Sequence, residues 1–213
     1  MTGIDVAFYN EHRGIYSPLV EHNGILCGFW LCGQNYRNPS RLYGAYPPSY
    51  MKRIALLFPD PDVVLHLFSG DVRTGAWNKG LDFNPYPPEE DTFDIFPEFN
   101  PYFLGNAENL VEVIEAKWAA PCKINLPIYD LVLADPPYNK KSLEEYGTPP
   151  VNKRKVIKEC AKVINPGGHL VWLDTIIPIW AKKDGWKLRG TIGLVQSTNH
   201  QCRVITILER IEV

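Results

Sequence analysis

Short apolar runs alternate with helical patterns along most of this 213-residue chain. Residues 63–68 and 129–134 are typical of buried strands, because each run is mostly apolar and ends at turn-forming residues. Residues 49–58 place apolar side chains three and four positions apart, which predicts a helix. The predicted strands are 28–31, 63–68, 129–134, 169–174, 186–195 and 202–209, and the predicted helices are 49–58, 109–118, 151–164 and 176–183. This order predicts an α/β fold.

Length and charge indicate one globular domain without a strong charge signature. A chain of 213 residues predicts a single domain, with its core in 41–210 and an N-terminal extension, 1–40, of unpredicted structure. The net charge of −2 gives no overall basic signature, so binding to nucleic acid would depend on a local basic rim.

Cysteines and apolar runs bear on the compartment. Five scattered cysteines fit reduced thiols, and neither a membrane-spanning stretch nor a signal-peptide pattern is evident. The sequence therefore predicts a cytoplasmic protein without a membrane partner, which fits a prokaryotic, phage or mobile-element setting. His22, Cys27 and Cys32 are spaced too loosely for a zinc site, and no metal is predicted.

The most informative stretch is Asp135-Pro136-Pro137-Tyr138, directly after the strand predicted at 129–134. Two successive prolines remove two backbone donors, fix φ twice and push the preceding residues out of the helical region. The result is a stiff, extended turn at the C-terminal end of a strand, where open α/β sheets bind ligands. The turn presents a carboxylate, a free backbone carbonyl and an aromatic ring.

These groups suit chemistry on the exocyclic amine of a nucleic-acid base. Such an amine is a poor nucleophile because its lone pair is delocalised into the ring. The Asp135 carboxylate and the Pro136 carbonyl can accept hydrogen bonds from the two N–H groups of the amine and favour the pyramidal nitrogen of the transition state. The Tyr138 ring can stack on a base that has left its helix. The alternative is a strand-ending turn whose aspartate only caps the backbone.

The tetrapeptide resembles the catalytic motif of the amino-group DNA methyltransferases, and its Asp-Pro-Pro-Tyr form is typical of the adenine-N6 enzymes. The resemblance covers about residues 41–210, and residues 165–168, Asn-Pro-Gly-Gly, are similar to the family's turn after a helix. It implies a Rossmann-like class I methyltransferase fold: a mostly parallel sheet, an antiparallel pair of C-terminal strands at its edge, and helices on both faces. It also implies S-adenosylmethionine as the cofactor.

Phe68-Ser69-Gly70 resembles the first cofactor motif of class I methyltransferases, an acidic residue followed by x-Phe-x-Gly-x-Gly. Gly70 lets the backbone approach the ligand closely. The chain departs from the motif at His66, where an acid is usual, and at 71–72, where Asp-Val replaces small residues. His66 therefore loses the usual polar contact to the amino-acid part of the cofactor, and Asp71 is the candidate to replace it.

The resemblance also implies an acid after the second strand that binds the cofactor's ribose hydroxyls. Asp94 and Asp82 are the candidates. Asp94 is preferred because it lies nearer the usual spacing of about 20 residues after the first motif, and because residues 99–107 continue as a third strand should. Asp82 and the acids of 85–91 would then lie in a connection.

Asn106-Ala107 stands where the family commonly has an Asp followed by a small residue. That Asp contacts the adenine amino group of the cofactor, and the Asn106 side-chain oxygen can still accept a hydrogen bond. Residues 44–47, which include Tyr46 and Pro47, resemble the segment that closes over the methionine end of the cofactor. An aromatic surface turn is the alternative for that segment.

Several polar and basic residues follow the Asp-Pro-Pro-Tyr turn closely and can contact phosphates beside a flipped base. They are Asn139, Lys140, Lys141, Lys153, Arg154 and Lys155. A solvated helix start is the alternative for the last three.

The lead hypothesis is a DNA adenine-N6 methyltransferase that transfers the methyl group directly, without a covalent enzyme intermediate. An RNA base methyltransferase, acting on guanine N2 or adenine N6, is the closest alternative, because related enzymes use similar Asn/Asp-Pro-Pro-aromatic turns. A non-catalytic nucleic-acid-binding subunit is the alternative from another class, which the departures at His66 and Asp71 leave open. Only residues 1–40 and 139–152 are candidates for target recognition, so a partner subunit is a further expectation.

Overall fold

The computed structural model describes residues 3–33, 46–47, 49–72, 88–118, 126–137, 143–144, 147–196 and 202–212. Within these ranges, nine strands form one sheet in the order β1-β2-β8-β9-β7-β6-β3-β4-β5. The strands are β1 (Leu19–His22), β2 (Ile25–Cys32), β3 (Val63–Leu67), β4 (Glu89–Asp94), β5 (Phe103–Leu104), β6 (Tyr129–Ala134), β7 (Ile164–Asp174), β8 (Trp186–Gln196) and β9 (Cys202–Arg210).

Most neighbouring strands run parallel. β3 pairs in parallel with both β4 and β6, while β4 pairs with β5 and β6 with β7 in the same sense. β9 is antiparallel to both β7 and β8. The predicted fold class, a mostly parallel α/β sheet with antiparallel C-terminal strands, is confirmed.

The N-terminal hairpin corrects the expected position of the C-terminal strands. β2 pairs in parallel with β8, and β1 pairs antiparallel with β2. β8 is therefore not an edge strand, and the expectation that the C-terminal pair ends the sheet is wrong. The physical reason is that the apolar β2 covers the backbone groups that β8 would otherwise leave open. Residues 3–33 thus supply one edge of the sheet.

Helices cover both faces of the sheet. They are α1 (Val6–His12), α2 (Tyr50–Leu57), α3 (Leu110–Trp118) and α4 (Lys153–Val163). Leu131 and Leu133 of β6 pack with α2 in one core, whereas Val132 and Ala134 pack with α3 and α4 in the other. This alternation decides which face each side chain at a strand end enters. In the described part of the chain, no helix is long and apolar enough to cross a bilayer.

Two predicted features of the C-terminal half are wrong. Residues 176–183 form no helix, and only a 3₁₀ turn follows at Lys182–Asp184. Pro178 has no N–H and pushes the residue before it out of the helical region. Residues 165–168 do not cap α4, because Ile164 is already extended and pairs with Tyr129 of β6.

The acids before Asp94 also differ from expectation. Glu89, Glu90 and Asp91, predicted to lie in a connection, form the first half of β4. The Asp91 carboxylate accepts a hydrogen bond of 2.9 Å from the Tyr129 hydroxyl. This contact with β6 stabilises a segment whose acidic sequence is typical of a solvated loop. The third strand is present but only two residues long, because a 3₁₀ turn occupies Pro97–Phe99.

A buried histidine makes stability sensitive to acid. His169 of β7 is 4% exposed, and its Nδ1 has no hydrogen-bond partner within the described residues. Burial, reinforced by the charge of Arg189, lowers the pKa of His169 from 6.5 to about 4. The native state therefore holds a neutral ring, while the unfolded chain takes up a proton below pH 6.5. This stabilisation is complete above pH 6.5 and is lost as the pH falls towards 4.

Between pH 7 and pH 4 we expect the free energy of unfolding to fall in both proteins. The fall should be about 3 kcal/mol smaller in the His169→Phe variant than in the wild-type protein, because the variant has no buried imidazole to protonate. Urea unfolding across this range measures the difference. The exposed His22 provides the control, since His22→Asn should follow the wild-type curve. Equal acid sensitivity in His169→Phe and the wild-type protein would contradict the prediction.

Candidate active site

The carboxyl ends of five parallel strands bring the predicted site residues to one edge of the sheet. Gly70 follows β3, Asp94 ends β4, Asn106 follows β5, Asp135 follows β6 and Asp174 ends β7. Ligands bind at this edge in open α/β sheets. The structure therefore brings together the two motifs that the sequence analysis singled out, which are about 65 residues apart along the chain.

The Asp135 carboxylate forms an ion pair with an arginine from the last strand. Nη1 of Arg203 lies 3.2 Å from Oδ1 and 3.3 Å from Oδ2. Both side chains are largely buried, at 6% exposed for Arg203 and 15% for Asp135. Burial raises the pKa of Asp135, the Arg203 charge opposes this, and Asp174 adds to the rise. The prolines of the turn, Pro136 and Pro137, are buried and half-buried.

A chain of polar contacts links Tyr46, His66 and Glu90 beside this pair. Nε2 of His66 lies 2.9 Å from Oε2 of Glu90, and Nδ1 lies 3.3 Å from the Tyr46 hydroxyl. If Glu90 accepts the Nε2 proton, Nδ1 is left to accept from Tyr46. The Tyr46 hydroxyl also lies 3.5 Å from the carbonyl oxygen of Leu133, two residues before Asp135. His66 thus holds Tyr46 against β6, and Pro47 is buried next to it.

The turn after β3 has an unusual backbone. Phe68 has φ +60° and Gly70 has φ +51°. A bulky residue rarely adopts this left-handed region, and such strain concentrates at functional sites. The Ser69 side chain is 1% exposed, and its hydroxyl has no hydrogen-bond partner in the described part of the chain. The turn thus leaves a buried polar group for a ligand, and Asp71 is half-buried beside it.

Asp94 fastens this turn to β4. Its carboxylate accepts hydrogen bonds from the Gly70 N–H at 2.8 Å and from the Phe96 N–H at 3.0 Å. Burial raises the pKa of Asp94, and these N–H groups oppose the rise. Asp94 therefore lies at the turn after β3, and its role in binding the cofactor's ribose stays a prediction. Asp82 itself lies outside the described residues.

The turn after β5 meets the start of α4. Asn106 is exposed, and its side-chain oxygen accepts a hydrogen bond from the Glu108 N–H. Ala107 beside it is buried. Nζ of Lys155 lies 3.0 Å from Oδ1 of Asn109 and 3.9 Å from Glu108. Lys155, which is predicted to contact phosphate, therefore already contacts side chains of the protein.

The other two basic residues of this segment differ in exposure. Nζ of Lys153 lies 2.6 Å from Oδ2 of Asp174, which is fully buried and also accepts from Nε1 of Trp172. Lys153 thus faces the site, while Arg154 is exposed on α4. Tyr138, Asn139, Lys140 and Lys141 lie outside the described residues.

Three residues were missed by the sequence analysis: Arg203 and Asp174 at this edge, and Glu90 near the start of β4. Arg203 could have been found from alternation, because it shares a row with Ile205 and Ile207, two buried apolar residues of the same strand. Glu90 stands among acids that resemble a loop, and Asp174 gives no signal beyond its position at the end of a strand. Among the described residues, no three His, Cys, Asp or Glu side chains lie together as metal ligands.

No family model and no curated protein matches the chain. Solved structures do match. TrmN from Thermus thermophilus superimposes with a TM-score of 0.53 and 17% identity, over 79% of this chain and 50% of its own. The chain has the class I methyltransferase fold. The match spans only half the length of TrmN.

A second match is the N-methyltransferase NodS from Bradyrhizobium japonicum in complex with S-adenosyl-L-homocysteine. Its TM-score is 0.44 and its identity 12%, over 77% of this chain and 85% of that one. In the chain described here, the Asp135 turn, the Phe68–Gly70 turn and Asp94 lie at the same edge of the sheet.

Proposed function

We propose that this protein transfers a methyl group from S-adenosylmethionine to the N6 amino group of adenine in DNA. The observation that supports this most directly is the position of the Asp135-Pro136-Pro137 turn. It lies at the carboxyl end of β6, and β3, which leads into the Phe68–Gly70 turn, is the neighbouring strand. An acceptor held by one turn would therefore meet a cofactor held by the other.

The residues after β3 and β4 suit this cofactor. The Ser69 hydroxyl, which has no hydrogen-bond partner among the described residues, and the left-handed backbone at Phe68 and Gly70 offer polar groups to a ligand. Asp94 keeps the turn in place and offers carboxylate lone pairs to the ribose hydroxyls. Asn106 and Ala107 would hold the adenine end, and Tyr46 and Pro47 the methionine end. When bound, S-adenosylmethionine supplies a methyl group on a sulfonium for direct attack by nitrogen.

The chain's own residues prepare the acceptor amine. The Asp135 carboxylate and the Pro136 carbonyl accept hydrogen bonds from the two N–H groups of the amine. These hydrogen bonds withdraw the nitrogen lone pair from the ring and direct it at the methyl group. The nitrogen loses one proton after the transfer, and Asp135 is placed to accept it or pass it to water. The buried ion pair with Arg203 holds this carboxylate in position.

The DNA partner is proposed from local charge. The net charge of −2 requires a local basic rim, and Arg154 together with Asn139, Lys140 and Lys141 would supply phosphate contacts beside the site. Lys153 and Lys155 contribute less in this proposal, because they already contact Asp174 and Glu108. A partner subunit would supply target recognition.

Methyl transfer tests the proposal directly. The protein is incubated with labelled S-adenosylmethionine and with DNA or RNA, and the digested nucleosides are identified by mass spectrometry, with Asp135→Ala as the negative control. N6-methyladenine in DNA is the expected product. If methylated guanine is found in RNA instead, the acceptor proposed here is wrong, while methyl transfer to an exocyclic amine is retained. Cofactor binding without transfer to either polymer would contradict the proposed activity and favour a binding subunit.

Tyr138 provides a test of base flipping. We expect Tyr138→Ala to weaken the binding of substrate DNA by about 1–3 kcal/mol, because the ring no longer stacks on the flipped base. Tyr138→Phe keeps the ring and should bind like the wild-type protein. Fluorescence anisotropy with labelled DNA measures both affinities. Wild-type affinity in Tyr138→Ala would count against stacking on this ring.

A further inference from the structure

Arg203 is a charged residue beside apolar neighbours in its row of β9. It shares one face of β9 with Ile205 and Ile207, which belong to the core beneath α2. The arginine is buried and stands where β9 reaches the carboxyl edge of the parallel strands. Burying a guanidinium there is costly unless an anion compensates for it. Asp135 is that anion.

The contact uses only one side of the carboxylate. A single nitrogen, Nη1, lies 3.2 Å from Oδ1 and 3.3 Å from Oδ2, so it sits between the two oxygens. A carboxylate has about four acceptor positions. Within the part of the chain that the structure describes, the inner pair faces Arg203 and the outer pair is left for a donor on the ligand side. The guanidinium therefore fixes the plane of the carboxylate without closing it to an amine.

Among the described residues, the other groups around Asp135 do not offer it a second cation directly. They are Tyr50 from α2, Tyr46 with His66 and Glu90 behind it, and Asp174 from the end of β7 with Lys153 of α4 paired to it. Burial and Asp174 both favour the protonated acid, and Arg203 favours the anion.

We infer that Arg203 is a positioning residue for methyl transfer: it keeps Asp135 ionised and turns the outer lone pairs of its carboxylate towards the acceptor amine. The inference rests on the proposed function. It separates two contributions of one side chain, charge and orientation. Charge decides the pH range in which Asp135 can accept a hydrogen bond from the amine, whereas orientation decides the rate once Asp135 is ionised.

Two substitutions separate these contributions. Arg203→Met removes both, so the acid limb of the pH–rate profile should move to higher pH, and kcat on the plateau should fall about 100-fold through misplacement. Arg203→Lys keeps a cation but not the planar contact, so the limb should stay near its wild-type position while the plateau falls. Cofactor affinity should be unchanged in both variants. Arg189→Met removes a half-buried ion pair with Glu209, which joins β8 to β9 away from Asp135, and serves as the matched control.

A second readout does not depend on activity. The carboxyl carbon of Asp135, assigned with Asp135→Asn, is titrated by ¹³C NMR in the wild-type protein and both variants. We expect the pKa of Asp135 to be higher in Arg203→Met than in the wild-type protein. An unchanged titration in Arg203→Met would overturn the inference whether or not the protein is active.

The outcomes of the two experiments are distinguishable. A wild-type protein that methylates no nucleic acid overturns the proposed function and, with it, the catalytic role of Arg203. An active wild-type protein with an unshifted acid limb in Arg203→Met overturns the role of Arg203 alone. A shifted limb together with a shifted Asp135 titration supports the inference. If Arg203→Met does not fold, a wild-type plateau in Arg203→Lys overturns the orienting role and a lowered plateau supports it.

Discussion

Methyl transfer by the Asp135→Ala variant is expected to fall below detection. The substitution removes the carboxylate that accepts a hydrogen bond from the acceptor amine. The Pro136 carbonyl can still accept a hydrogen bond from only one of the two N–H groups. Nucleoside mass spectrometry after incubation with labelled S-adenosylmethionine measures the loss. Cofactor affinity, measured by calorimetry, should stay within a few-fold of the wild-type value. Turnover retained in this variant would rule out Asp135 as the acceptor.

The ion pair demands a special control for this variant. Removing Asp135 takes this carboxylate away from the buried Arg203 guanidinium, which we expect to lower the free energy of unfolding by about 3–5 kcal/mol. The double variant Asp135→Ala/Arg203→Met removes both charges and should recover part of that stability. It should be as inactive as the single variant. An inactive but more stable double variant shows that the loss is chemical rather than a consequence of unfolding.

Cofactor affinity should fall about 100-fold or more in the Asp94→Ala variant. The wild-type carboxylate holds the N–H groups of Gly70 and Phe96 and is placed to bind the ribose hydroxyls. Hydrogen bonds to a charged group are worth about 1.5–3 kcal/mol each, so the loss of several weakens binding strongly. Titration calorimetry with S-adenosylmethionine or S-adenosyl-homocysteine measures the dissociation constant.

Asp91 provides the matched control for Asp94. It lies on the same strand and hydrogen-bonds to Tyr129. Asp91→Asn is expected to leave cofactor affinity close to the wild-type value, since this side chain makes its contact before the carboxyl end of β4. A large loss in Asp82→Ala with none in Asp94→Ala would contradict the assignment of the ribose-binding acid.

Local patterns were sufficient for most of the elements. The apolar runs at 63–68 and 129–134 become β3 and β6, and the spacing at 109–118 predicts α3 to within a residue. Residues with unusual backbone demands were also readable, because the prolines after Asp135 and the glycine at position 70 restrict the chain locally. Those parts of the candidate site whose signal lay within a few consecutive residues could therefore be predicted from the sequence.

Pairings between distant segments could not be predicted in the same way. Arg203 meets Asp135 across 68 residues of sequence, and no local pattern names that partner. The same holds for His66 and Glu90, because an acid on a neighbouring strand resembles a solvated acid when its donor is unknown. The addition of β2 beside β8 also depends on a distant edge being open.

The pairing of β2 with β8 affects how the chain folds during synthesis. β2 ends at Cys32, and β8 begins more than 150 residues later, at Trp186. At about 5–20 residues per second, a ribosome needs about 10–30 s to make the strand on which β2 docks. The N-terminal hairpin must wait for that time without its sheet. This high contact order predicts slow, late completion of the fold and a need to shield Phe29 and Leu31, which remain exposed even in the native state.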